Sequence, residues 1–542
     1  MNKMLLAAAA IAAFASFACA AAPQDAAAAG ARKVVNIVNF ARALDPRHPK
    51  AQYADVVRKE VALARKYGFK NTILFQYDAL IDDDVRKAAL ESDLGKTEFG
   101  LWFEMSKPLN EAAGLAWKPK HDPSWQWDWY INPGFLMAYT QQERKALVDA
   151  AFAKFKEYFG QYPKVAGSWL LDAWSMDYMA REYGVDGFCI CREQDNTDAY
   201  GLRGGYSNGA YYPSKLNMLS AAVDMANAVK APVFKMLAPD PIYNYGHPGL
   251  RYADFPYKNI CPTIEPVYPT GTKPEIVDWY FRVYTAPAGL LNLSYMQVGQ
   301  ENSFNWKQIG PGLARQYERI DALAKAGEIE VETLGETARR FKADHPCNCP
   351  QTQIALEDWS GAKRNSIWFN CRFYRANLFF DGGRLYFRDI HKMCDGFREP
   401  FHDTVCTGWK AEYSTPPVID EALFSDAKRG VRGVMEAEGE FVKLEVVPSA
   451  PDTLAVAAVR KDGSKVRIFF DERSLSVSGT PLHASWSAPF LDTVSYSKDQ
   501  LSFKYKDFAY SIECDGEISK TKNGFDIRPR GNAIRFDLSI VR

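Results

Sequence analysis

Between Lys33 and Gln300 the chain repeats one phrase: a short apolar run, an Asp or Glu close to its end, then a helical or loop stretch. The runs are VVNIVNF (34–40), NTILFQYD (71–78), FGLWFEM (99–105), VAGSWLLDAW (165–174), VDGFCICREQD (185–195), PVFKMLAPD (232–240), ICPTIEPV (260–267) and LNLSYMQVGQE (291–301). Runs that are apolar on both faces are what a parallel sheet covered by helices requires. Closing such a sheet into a barrel gathers the ends of its strands at one mouth. The spacing therefore predicts an α/β fold, a (β/α)-barrel of seven or eight strands in the TIM-barrel manner.

The intervening segments agree with this. Residues 51–67 place Val56, Val57, Val61 and Ala64 on one helical stripe. Thr140 and Glu143 have capping-box spacing ahead of a helix running to 159. Further helices are expected from Pro213 through Val229, over 273–285 and over 311–326. After Glu328 the texture changes to short alternating segments divided by Gly, Asp, Asn or Pro, which predicts an antiparallel β-sandwich over 328–542. Asp381-Gly382-Gly383 and Asp462-Gly463 are its expected hairpin turns.

Residues 1–20 have the charged start, apolar stretch and small-residue end (Ala18-Cys19-Ala20) of an export signal, and 21–31 have the composition of a disordered leader. A lipid anchor at Cys19 is the alternative. The expected location is thus the periplasm, the outer surface or the medium. Lys and Arg together number 66, as do Asp and Glu, so neither nucleic acid nor an anionic membrane is indicated as a partner. Seven His without an HxxxH or HExxH pair point to no metal and no cofactor. Cys189/Cys191 and Cys347/Cys349 have CxC rather than CxxC spacing, and the sequence assigns no disulfide.

The chemistry lies in the acids at or beyond the run ends: Asp78, Glu104, Asp172, Glu193, Asp195, Asp240, Glu265 and Glu301. A mouth ringed with carboxylates suits work on uncharged polyols such as sugars, and glycosidic cleavage needs one carboxylic acid and one carboxylate. Asp172 ends the fourth run and Glu265 the seventh, on roughly opposite sides of a barrel, so these two are the expected catalytic pair. Trp169 and Trp174 beside Asp172 would desolvate it and raise its pKa. The plainer reading of each is a helix cap. Arg192, Glu193 and Asp195, with the loop around Tyr206, are expected to bind substrate, as are Glu104, Asp78, Asp240, Glu301 and His247. Trp127 and Trp129 would either offer flat faces to sugar rings or staple their loop to the barrel.

An exported barrel followed by a β-sandwich resembles secreted bacterial proteins of the glycoside hydrolase/deacetylase superfamily, and within it a group found among gut-bacterial glycan-degrading proteins. The phrases that carry the likeness are Gly205-Tyr206-Ser207-Asn208-Gly209-Ala210-Tyr211-Tyr212-Pro213-Ser214, Arg372-Phe373-Tyr374-Arg375-Ala376-Asn377-Leu378 and Phe387-Arg388-Asp389-Ile390. The resemblance implies carbohydrate processing. Its hydrolase branch carries carboxylates at strand ends four and seven, and its deacetylase branch a metal site with a His-x-x-x-His pair that this sequence lacks. The expectation is a metal-independent glycoside hydrolase acting on an oligo- or polysaccharide. Its rivals are a non-catalytic glycan-binding protein on a degenerate barrel and a metal-dependent polysaccharide deacetylase.

Overall fold

A computed structural model describes residues 31–47, 52–195, 199–245, 262–486 and 494–540, the side chain of Asp195 excepted. Seven of the eight runs form parallel strands: β1 (Arg32–Ala41), β2 (Asn71–Phe75), β3 (Thr97–Trp102), β4 (Val165–Gly167), β5 (Gly187–Ile190), β6 (Val233–Lys235) and β7 (Leu293–Val298). Their order is β7-β1-β2-β3-β4-β5-β6, a nearly closed barrel. β2, β5 and β7 are buried along their whole length, as two-sided apolar runs demand. The ladder stays open between β6 and β7. There the seventh run contributes one isolated bridge, Thr263 to Pro239, rather than a strand. Pro262 and Pro266 explain this, because neither has an N–H to give a ladder.

Helices α1 (Tyr53–Tyr67), α2 (Gln141–Phe159), α3 (Ala173–Tyr183), α4 (Pro274–Thr285) and α5 (Trp306–Lys325) follow strands as expected. α1 buries Val56, Val57, Val61 and Ala64, and α2 opens with the Thr140–Glu143 capping box. The helix expected from Pro213 to Val229 is absent. In its place stand short strands at 210–211, 213–214 and 217–221 and one 3-10 turn. The Asn217 amide donates to the carbonyls of Phe397 and Ser414, and Glu399 accepts from Met218 N, so a distant segment holds this backbone extended.

The barrel also runs past the boundary expected at 327/328. Strand β8 (Glu330–Glu332) pairs in parallel with β1, and α6 (Leu334–Asp344) closes the N-terminal end of the barrel. Asn36 donates to Glu332 O and Thr337 Oγ1, while Thr72 and Glu98 accept the first N–H groups of α6. Gly187 is required for this packing: a Cβ there would lie 2.5 Å from that of Ala338.

From Gln351 the chain forms two antiparallel sheets packed face to face on an apolar core, the expected sandwich. Hairpin β9 (Tyr374–Asp381) to β10 (Arg384–Lys392) turns at Gly382 and Gly383, both with positive φ. The two parts are stitched together, since residues 411–414 pair in parallel with 200–203. Seven described cysteines are free and Cys347 is disulfide-bonded. No helix among the described residues is long and apolar enough to cross a membrane.

Candidate active site at the barrel mouth

The C-terminal ends of the strands build a narrow mouth on an aromatic floor. Phe40 of β1 and Trp102 of β3 stack at 4.2 Å, and Trp169, just past β4, stands edge-on to both. Trp169 alone of the three is partly exposed. Beside this floor Arg42, the residue after β1, buries its guanidinium among carboxylates. It ion-pairs with Glu104, with Glu301 at 2.6 Å and with Asp45 at 3.6 Å, and its Nε donates to Gln76. Trp102 Nε1 donates to Glu104 at 2.6 Å, and Ser303 to Glu301 at 2.6 Å. Burial raises the Glu104 carboxyl above its ordinary range, against the field of Arg42.

Glu265 lies between β6 and β7, two residues after the Thr263 bridge. Its carboxylate accepts from Thr263 Oγ1 at 3.1 Å and Gln300 Nε2 at 3.2 Å. The other end of the Gln300 amide accepts from the backbone N–H of Glu301 at 2.9 Å. One side chain thus ties Glu265 to Glu301. Glu265 is 9% exposed, more than Glu193 at 7%, Glu301 at 5% or Glu104 at 2%.

On the β5 side, Glu193 is held from the sandwich. Arg375 of β9 donates to both of its oxygens (2.8 and 3.2 Å) and to both oxygens of Asp389 on β10 (2.7 and 2.9 Å). Arg192 Nη1 and Asn244 donate to the Glu193 carbonyl. β5 stops at Ile190, so Glu193 stands beyond its regular alternation.

The expected catalytic role of Asp172 needs correction. It is fully buried, it is the N-cap of α3, and it accepts from Ser175 N, Ser175 Oγ and Arg144 Nη1. Arg144 is itself buried and donates to the carbonyls of Leu136, Tyr139 and Phe401. The helix-cap reading describes Asp172, and no mouth residue touches it. Trp174 stacks on Tyr178 along α3 instead of shielding an acid. Tyr206 is a core residue whose hydroxyl donates to Cys349 O. Trp127 is 1% exposed beneath the guanidinium groups of Arg42 and Arg47, so it staples its loop, whereas Trp129 stays partly exposed. His247 lies outside the described residues.

Asp78 and Asp240 are structural acids. Asp78 accepts from Ala43 N and Leu44 N, and burial pushes it up to about 6. Asp240 accepts from Ile242 N, Tyr243 N and Trp359 Nε1, and burial outweighs all three, pushing it up to about 7. A carboxyl whose folded pKa is raised lends stability that is complete below its ordinary pKa and is lost as pH climbs through the folded value. Urea unfolding of the wild type should therefore lose, relative to Asp240→Asn, about 1.4 kcal/mol per pH unit between roughly pH 4 and 7. Parallel profiles of the two proteins would refute this.

A deacetylase would need a metal site. Among the described residues the one group with suitable atoms is Asp389, His391 and Asp420. The group does not fit. Asp389 is ion-paired to Arg375, Arg203 lies 3.5 Å from Asp420, and Asp420 also accepts from Tyr245 and Leu423 N. A divalent cation would compete there with two guanidinium groups. The site also belongs to the sandwich face, not to the strand ends.

No protein-family model and no curated protein matches the chain. Among solved structures, a protein provisionally described as a glycoside hydrolase/deacetylase from Parabacteroides distasonis superposes with a TM-score of 0.54 at 14% identity, over 72% of this chain and 92% of that one. The likeness is one of fold. A provisionally described polysaccharide deacetylase from Mycobacterium smegmatis (TM-score 0.33, 10% identity, 58% of this chain and 92% of that one) is far more distant. So is an alpha-amylase from Thermotoga maritima (0.30, 9%, 57% and 74%). At these scores neither has any bearing on the site.

Arg42 and Gln300, which no expectation placed there, organise the mouth together with Arg375. Arg42 stands two residues after Phe40, the end of the first run, which is a signal the sequence carried.

Proposed function

We propose that the protein is an exported glycoside hydrolase that cleaves with Glu265 and Glu301, without a metal. The observation that carries the reading is the Gln300 bridge. It ties the Glu265 carboxylate to the backbone N–H of Glu301, whose own carboxylate is held by Arg42 and Ser303 at the same strand ends. Glu301 faces the Arg42 guanidinium and takes the part of the nucleophile or base. Glu265 accepts from Thr263 Oγ1 and from the Gln300 amide and takes the part of the acid. Trp169 would stack on the sugar at the cleavage point, and Glu193, oriented by Arg375, would accept from its hydroxyls. Export rests on the leader, and the disulfide at Cys347 is in keeping with an oxidising compartment.

A glycan-binding protein without catalysis is the second reading, because Arg42 already neutralises much of the mouth's negative charge. Incubating wild type and Glu265→Gln with a glycan library and measuring new reducing ends separates the two. Release by wild type alone supports hydrolysis. Retention of glycans by both without release supports binding.

A further inference from the structure

The loop after β3 carries more aromatic surface than its packing uses. Asp128, buried at its centre, accepts from the backbone N–H of Lys120, His121 and Tyr130 and holds His121 Nδ1 at 2.6 Å. Trp117 Nε1 closes the loop on Trp125 O. The His121 ring lies 3.7 Å from Trp129, 3.8 Å from Tyr130 and 5.1 Å from Trp125, so it locks three partly exposed rings into one cluster. A fourth ring comes from the segment that follows the first sandwich strands. Trp409 lies 5.3 Å from Tyr130, its carbonyl accepts from Ile131 N, and its side chain is 51% exposed.

This cluster is continuous with the mouth. Arg47 spans Trp127 and Trp129 and ion-pairs with Asp45, which also faces Arg42 beside Glu104 and Glu301. A tryptophan left half in water and set against a loop that a buried acid fixes is a pre-ordered stacking surface. Binding to it costs little ordering entropy. The flat apolar faces of sugar rings match it, with hydroxyls left at the edges for water. Lys410, which lies over the Trp409 ring, is exposed and can swing aside.

We propose that Trp409, Tyr130, Trp129 and Trp125 form a subsite for sugar rings of a polymeric glycan beyond the cleavage point. The inference rests on the glycan reading of the mouth and extends it from a single sugar to a chain. It also gives the C-terminal part a share in substrate recognition.

The test is migration of the Glu265→Gln protein through native gels that contain arabinoxylan, mixed-linkage β-glucan, galactomannan, pullulan or polygalacturonate. At least one polysaccharide should retard it, and adding Trp409→Ala should weaken that retardation on the order of tenfold. Tyr496→Ala, which removes a comparably exposed ring from the sandwich, should leave it intact. Melting temperatures matched to the parent show that each variant is folded. Trp409→Phe, which keeps a ring, should recover part of the retardation if Trp409→Ala is unstable. Equal retardation with and without the Trp409 ring overturns the subsite, as does no retardation by any of the five. Release of reducing ends by wild type is scored separately. If release persists while the Trp409 effect is absent, the subsite alone falls; if neither release nor retardation is seen, the glycan reading falls with it.

Discussion

Glu265→Gln and Glu301→Gln should each lower the release of reducing ends by roughly 10³-fold or more and leave the fold intact. An acid or base positioned at the reacting bond contributes about 10² to 10⁴ in rate, and loss of a nucleophile is at least as severe. The two variants should differ in kind. At Glu265 the amide cannot donate a proton to the leaving oxygen, so substrates with good leaving groups, such as nitrophenyl glycosides, should be partly spared. At Glu301 the amide cannot attack or deprotonate water, so no leaving group should help, whereas added azide should restore turnover if Glu301 is the nucleophile. Glu104→Gln serves as the contrast. It removes a carboxylate that Arg42 and Trp102 already engage and that is only 2% exposed, so its effect should fall on stability first. Retention of more than a tenth of wild-type release by Glu265→Gln on every glycan would sink the assignment.

Much of the barrel was legible because two-sided burial leaves a direct trace in composition. Seven of the eight apolar runs are strands, and α1 and α2 start and bury the residues their periodicity implied. The misses share a cause. The segment after Pro213 has helical periodicity but is held extended by Asn217 and Met218 bonding to residues some 180 positions away. Asp172 and Glu265 look alike as acids at run ends. The difference between them is tertiary: Arg144 and Ser175 consume the first, while the described part of the run that holds the second contributes one bridge between β6 and β7. Prolines on both sides of Glu265 were the available hint that its run was no strand. The pairing of Arg375 with Glu193 could not be read from the sequence, because it joins residues 182 positions apart in different fold units.

That reach makes Arg375 the residue whose loss should cost the fold most. Its guanidinium is fully buried and shared between Glu193, beyond a barrel strand, and Asp389, on the sandwich. Arg375→Met keeps much of the side chain's volume but takes the shared guanidinium from two buried carboxylates, leaving His391 near Asp389 and Lys235 near Glu193. Breaking one buried pair typically costs about 3–5 kcal/mol, and with two acids losing this partner the upper part of that range is expected in urea unfolding at pH 7. The deficit should depend on pH in a definite sense. Burial already raises Asp389, with Arg375 pulling it back down. Removing the arginine lifts it further, so the folded state holds a proton that the unfolded state releases near pH 4. A group raised in this way stabilises at low pH and loses that contribution as pH rises, so the gap between wild type and variant should narrow steadily from pH 7 toward pH 5. Adding Asp389→Asn to Arg375→Met should recover part of the loss at pH 7 and flatten the pH dependence, since one of the two carboxylates is gone. A cost below about 1 kcal/mol, or one that does not change with pH, would mean that water reaches this junction and that the sandwich does not hold Glu193 by charge.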